Sequence, residues 1–192
     1  PHPRLVTVLQ EVGFQHSADL LYLTCESARF PNTVSPLGEV EFEEYAETER
    51  GRLTRIIEQT YQDTMDCTAL DGARDLEDVI SGYRTTGTYR PQNWLFVRYQ
   101  DADAGVLLLA DHPQTRQIEL MYMGIVPEWR GRGWGQQIAR HAQWFARGAN
   151  AQRILVAVDA ANTPAVDVYR STGFEIWDRR VVFLRFPPRN SS

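Results

Sequence analysis

The chain has 192 residues, 43% of them hydrophobic, which is enough for one well-buried core. A net charge of −5 argues against a partner bound through a phosphate backbone, so nucleic acid is not expected. The longest purely apolar run, residues 104–110, is far short of a membrane span, and Cys25 and Cys67 lack metal or redox spacing, so a cytoplasmic protein with reduced thiols and no metal or membrane partner is expected.

In chain order, residues 8–23 line up with residues 168–183, each reading as helix end, Gly-Phe, short strand, turn and apolar strand. Self-similarity at so long a period suggests duplication, and it predicts that residues 1–26 are the end of a preceding related unit, a helix end plus a strand pair. Residues 27–38, with Pro31, Pro36 and Gly38, read as a linker. Residues 39–187 then form one domain, and residues 188–192 a frayed tail. Within that domain, residues 40–45 alternate as a strand, and Leu53, Ile56, Ile57, Thr60, Tyr61 and Thr64 mark one face of a helix over 48–64. A loop at 66–72 leads to a second helix over 73–83. Strands follow at 94–99, 105–110 and 117–126, the first two joined by a turn at 101–104. After a glycine-rich loop and a helix to Arg147 come a strand at 153–158, a helix at 163–172 with Pro164 in its first turn and Gly173 past its end, and two final strands.

The loop is the most informative stretch. Gly131, Gly133 and Gly135 alternate at the mouth of a helix, with Arg130 and Arg132 among them. Glycines let backbone N–H groups approach a ligand, and a helix N-terminus adds open donors and a positive dipole end, which suits a phosphate anion. A P-loop needs Gly-Lys-Ser/Thr, and no Lys follows these glycines. A Rossmann loop needs G-x-G-x-x-G directly after its strand; Asp159 would be its acid, but position 136 is Gln and residues 127–130 intervene.

Arg130-x-x-Gly133-x-Gly135, preceded by Gly124-Ile125-Val126-Pro127, resembles the pyrophosphate loop of the GNAT acyltransferases, and Asn162-x-x-Ala165-x-x-x-Tyr169 followed by Gly173-Phe174 resembles that family's second block. The resemblance covers residues 90–187 by motif and 38–89 by pattern. It implies an α/β (α+β) fold: a mixed, mostly antiparallel twisted sheet flanked by helices, with central strands that splay to admit the cofactor. It also implies transfer of an acetyl group from acetyl-CoA to a primary amine of a small molecule or peptide, directly within a ternary complex. Tandem members of the family, the mycothiol synthases among them, have the two-unit layout suggested by the internal similarity.

The same resemblance implies roles for residues. Amides of Arg130, Gly131, Arg132, Gly133, Trp134 and Gly135 would hold the pyrophosphate, Ile125 and Val126 would pair with the pantetheine arm, and Asn162 would contact the cofactor. Tyr169 occupies the family's general-acid position; a phenol with a pKa near 10 is protonated at neutral pH and can donate to a leaving sulfur. Glu119 is the candidate base: on an extended strand it shares a face with Met121 and Met123, where a carboxylate is out of place unless used or paired, and a slip of register would put Tyr122 there instead. Trp134 would cover the diphosphate or adenine, Trp129 would be exposed, Trp94 and Trp177 would be core, and His112 and His141 would be surface residues. Tyr61, Asp63, Asp66 and Asp71 fall where the acceptor enters and would favour a cationic amine. Two rival readings remain: an acyl-CoA-binding module without turnover, and a dinucleotide-binding oxidoreductase module built on a parallel sheet.

Overall fold

The computed structural model describes residues 3–32, 38–65 and 75–185. Asp66, Cys67, Asp71 and the C-terminal tail lie outside them. The elements are helix α1 (Pro3–Glu11), strand β1 (Gln15–Glu26), β2 (Glu41–Glu44), α2 (Arg50–Tyr61), α3 (Leu76–Arg84), β3 (Trp94–Tyr99), β4 (Ala102–His112), β5 (Gln117–Ile125), α4 (Trp134–Gly148), β6 (Arg153–Asp159), α5 (Thr163–Ser171) and β7 (Glu175–Leu184). One seven-stranded sheet runs in the order β2-β3-β4-β5-β6-β1-β7. Every neighbouring pair is antiparallel except β5 and β6. The fold is therefore the expected mixed, mostly antiparallel sheet, and not the parallel sheet of a dinucleotide-binding module.

The sheet separates two cores. Leu53, Ile56 and Ile57 of α2 and Ile80 of α3 pack on Trp94, Phe96, Val106 and Leu108 on one face. Ile138, Ala142 and Ala146 of α4 and Val166 and Tyr169 of α5 pack on Leu107, Leu109, Ile118 and Leu120 on the other. Beneath α2, the Arg52 guanidinium lies over the Phe96 ring and joins Glu43, Glu49 and Asp103. It holds the Glu43 carboxyl down to about 2. That cluster ties α2 to β2 and β4.

The N-terminal segment departs from expectation. In place of a strand pair, β1 is one continuous strand, and it lies between β6 and β7. The chain end likewise shows one strand, β7, where two were expected. Leu23 and Cys25 of β1 are buried in the core below α4.

The two ends still match residue for residue. Gly13 and Gly173 both have positive φ, +86° and +92°. Each helix closes the same way: the N–H of Val12, Gly13 and Phe14 donates to the carbonyls of Val8, Gln10 and Leu9, as Thr172, Gly173 and Phe174 do to Val168, Arg170 and Tyr169. The strands β1 and β7 pair about Leu20 opposite Arg180. Each carries one bulged residue, Ser17 in β1 and Trp177 in β7, and these too are equivalent positions. The bulge turns Trp177 outward, 54% exposed against Tyr22, so it is not the core residue expected.

Candidate active site

The strands β5 and β6 pair only over residues 117–120 and 153–156. Beyond Leu120 and Val156 they part, leaving the facing edges of 121–125 and 157–159 without a strand between them. A cleft of about 420 Å³ occupies this opening, walled by Met121 to Ile125, residues 156–158, the glycine loop, α5 and the end of α2.

The loop sits at the mouth of this cleft. Gly131 and Gly133 both have φ of +77°, and a Cβ built on either meets nothing within 4 Å, so they are glycines for conformation and approach rather than for packing. Gly133 caps α4 without any side-chain hydrogen bond. Among the described residues no acceptor meets the N–H groups of Arg132, Gly133, Trp134 and Gly135, while the Gln136 N–H turns back to the Gly133 carbonyl. Open amides at the start of a 15-residue helix, with exposed Arg132 beside them, fit an anionic diphosphate. Gly135 has another duty: a Cβ there would press on Val168 at 3.1 Å, so it seats α4 against α5.

The tryptophans are placed differently from expectation. Trp134 is buried, 1% exposed, and packs with Trp129 and Tyr99 while its indole N–H donates to Glu39. It lines the cleft as wall, not as a lid over a ligand. The Arg132 guanidinium lies over the rings of Trp129, Trp134 and Tyr99. Trp129 is half-buried in this stack, not exposed.

Asn162 caps α5, its Oδ1 accepting from the Ala165 N–H at 3.3 Å, and lines the cleft. Tyr169, about two turns deeper on α5, is 4% exposed, stacks edge-on with Phe174 and reaches the cleft. Asp159, the acid a Rossmann reading needs, accepts from the Ala161 N–H and so shapes the turn after β6.

Glu119 stands apart from the cleft lining, on the paired stretch of β5 opposite Leu155. Its Oε2 meets His112 Nε2 at 2.9 Å, so His112 is a half-buried partner and not a free surface residue. A bulge alters the expected face. Where β4 advances from Leu108 to Leu109, β5 passes from Tyr122 to Leu120, leaving Met121 extra. Met121 and Tyr122 therefore both face α2 and α3, while Met123 turns to the α4 side. Tyr122 bonds Thr60 at 2.7 Å and packs on Tyr61 and Tyr83. Sequence spacing alone missed that aromatic group, because it follows from the extra residue in β5.

His141 also contradicts its solvent-side placement. It is 7% exposed, stacked on Phe42 at 3.5 Å, and burial pushes its imidazole down to about 4. Among the described residues no group of acidic, His and Cys side chains is arranged to hold a metal, and no helix is long and apolar enough to cross a membrane.

A mostly antiparallel sheet opened between two parallel strands, with a helix-mouth anion site beside the opening, defines an acyltransferase-type fold. The family model of the Acetyltransferase (GNAT) family matches residues 57–174. The chain belongs to that family. Among curated proteins it is 36% identical over 69 residues to a mycothiol acetyltransferase of Thermobifida fusca, covering 36% of this chain and 21% of that protein. It is 30% identical over 95 residues to a mycothiol acetyltransferase of Corynebacterium glutamicum, covering 50% and 32%. The chain thus spans about a fifth to a third of the relatives it matches. Among solved structures it resembles a GCN5-related N-acetyltransferase from Sphaerobacter thermophilus, with a TM-score of 0.66 at 17% identity over 93% of this chain and 55% of that one. It also resembles a tandem GNAT protein of the clavulanic acid biosynthesis pathway, at 0.60 and 12% over 95% and 58%.

Proposed function

We propose that this chain is an N-acetyltransferase domain that moves an acetyl group from acetyl-CoA to a primary amine in a ternary complex. The observation that carries this reading is the cleft itself: open amides at the start of α4, an unpaired β5 edge and a buried phenol on α5 converge on one opening. When bound, acetyl-CoA supplies the activated acetyl carbon as a thioester. The amides of Arg132 to Gly135 hold its diphosphate and the unpaired β5 edge at Ile125 holds the arm leading to the thioester, whereas Val126 and Arg130, expected to share these tasks, donate their N–H groups to the Ala104 and Pro127 carbonyls. Holding both reactants in one cleft removes the entropic cost of their encounter. Tyr169 gives its proton to the departing sulfur, and Glu119, which stands outside the cleft lining against His112, takes the proton of the incoming amine through intervening water. The acidic end of α2, with Asp63 on the cleft wall, favours a cationic acceptor. A cytoplasmic location fits a donor of this kind.

Replacement of Tyr169 by Phe tests the reading: acetyl transfer should fall by about 10²-fold while CoA affinity holds. Binding of CoA by the parent chain without transfer to any amine in a broad panel would leave only the non-catalytic module.

We also propose that residues 1–26 derive from a preceding GNAT-like unit. The matching helix closures, glycine conformations and bulges of the two ends support this. In that unit Leu9 stands where Tyr169 stands here, so it would lack this proton donor.

A further inference from the structure

Arg130 opens the loop motif, and from sequence its guanidinium is expected to add charge for a diphosphate. The structure turns that side chain elsewhere. Its Nε donates to the Ile125 carbonyl at 3.0 Å, its Nη2 to the Thr60 carbonyl at 2.9 Å and its Nη1 to the Asp63 carbonyl at 3.3 Å. Three of the five guanidinium N–H donors thus face protein carbonyls, so no intact fork is left for a phosphate. The partners belong to two rims of the cleft. Ile125 ends β5 below the loop, and Thr60 and Asp63 lie at and beyond the last turn of α2. The last carbonyls of a helix have no partner within it and sit at its negative end, so a cation satisfies both needs there.

The same turn of α2 is fitted to β5 from below. A Cβ on Gly124 would come within 2.8 Å of the Thr60 side chain, and Thr60 Oγ1 bonds the Tyr122 hydroxyl. Of these ties, only Arg130 comes from the loop that would hold the cofactor.

We propose that Arg130 is a positioning residue that couples the two ligand sites of the cleft. Fixing the loop on a diphosphate fixes Arg130, and through it the end of α2, whose Thr60, Asp63, Thr64 and Met65 wall the cleft opposite the loop. Cofactor then orders the acceptor wall, and by linkage acceptor strengthens the hold on cofactor. This rests on the reading of the cleft as a CoA site.

The test uses CoA itself, with calorimetry and amide exchange on the parent chain, Arg130→Gln and Arg130→Lys. In the parent chain CoA should slow exchange over residues 60–65 by at least fivefold. In both variants that protection should vanish while CoA affinity changes by less than about threefold, since neither side chain can span three carbonyls. If Arg130→Gln does not fold, Arg130→Lys alone decides. A tenfold loss of CoA affinity in Arg130→Gln that Arg130→Lys restores would make the guanidinium a phosphate ligand and overturn the proposal. Protection of 60–65 that survives in the variants would overturn it too. Failure of the functional reading shows differently, as a parent chain that binds no CoA.

Discussion

Tyr169 and His141 show how burial assigns a role to a single residue. Tyr169 lies against the cleft with only its edge open, so its substitution by Phe removes a proton donor and little packing. The expected result is a large fall in kcat at unchanged CoA affinity, read by thiol release and calorimetry. His141 lies in the core and stays neutral, because burial lowers its affinity for protons. The unfolded chain binds that proton below about pH 6.5, while the folded chain resists until about pH 4. Stability is therefore complete above the unfolded value and is lost as pH falls between them, by roughly 3 kcal/mol at most. Denaturant unfolding at pH 7.5 and pH 5 should show this loss in the parent chain and a much flatter profile in His141→Phe. Equal pH dependence in both would contradict it.

At the scale of elements, the loop and the strand edges do the work. Gly133 holds φ at +77° with open space where a Cβ would go, so Gly133→Ala suffers backbone strain and no clash. A left-handed residue costs about 1–2 kcal/mol, which corresponds to a fall of about 3–6 °C in melting temperature. CoA affinity should fall with it, since the amides lose their aim; an unchanged affinity measured by calorimetry would show that the loop does not hold the ligand. The loop, the capping Asn162 and the α5 stripe ending in Gly173-Phe174 were legible in sequence, because each is a local pattern with a local cause. The bulges were not. One extra residue at Met121 reverses which side chains face α2, and one at Trp177 turns an apolar ring to solvent. Neither leaves a mark in alternation, since a bulge is defined by the partner strand. The stacking of His141 was hidden for a similar reason: its cover, Phe42, comes from β2, far off in sequence.

At the scale of the molecule, the order of helices and strands from β2 to α5 could be read, but neither the single strand after α5 nor the place of β1 could. Hydrophobic runs identify a strand without naming its neighbours, and those of β1 lie more than a hundred residues later. That placement has a direct consequence. With β1 removed, β6 and β7 each lose a partner edge, and the core under α4 loses Leu23 and Cys25. A chain restricted to residues 27–192 should fail to give a cooperative thermal transition, although it retains every residue assigned to the cleft. A truncated chain that unfolds cooperatively near the parent temperature would show β1 to be dispensable. Five apolar side chains at the two matching ends, Leu5 and Val8 on α1, Val12 just past it, and Ile176 and Trp177 on β7, are left exposed.

On the proposed function, the opening between β5 and β6 brings a thioester and an amine together beside Tyr169. Steady-state release of CoA thiol from acetyl-CoA, with a panel of primary amines and the parent chain beside Tyr169→Phe, tests it most directly. The expected result is amine-dependent release in the parent chain and a loss of about 10²-fold in the variant at equal CoA affinity. Release that ignores the amine, or that is equal in the two proteins, would contradict it.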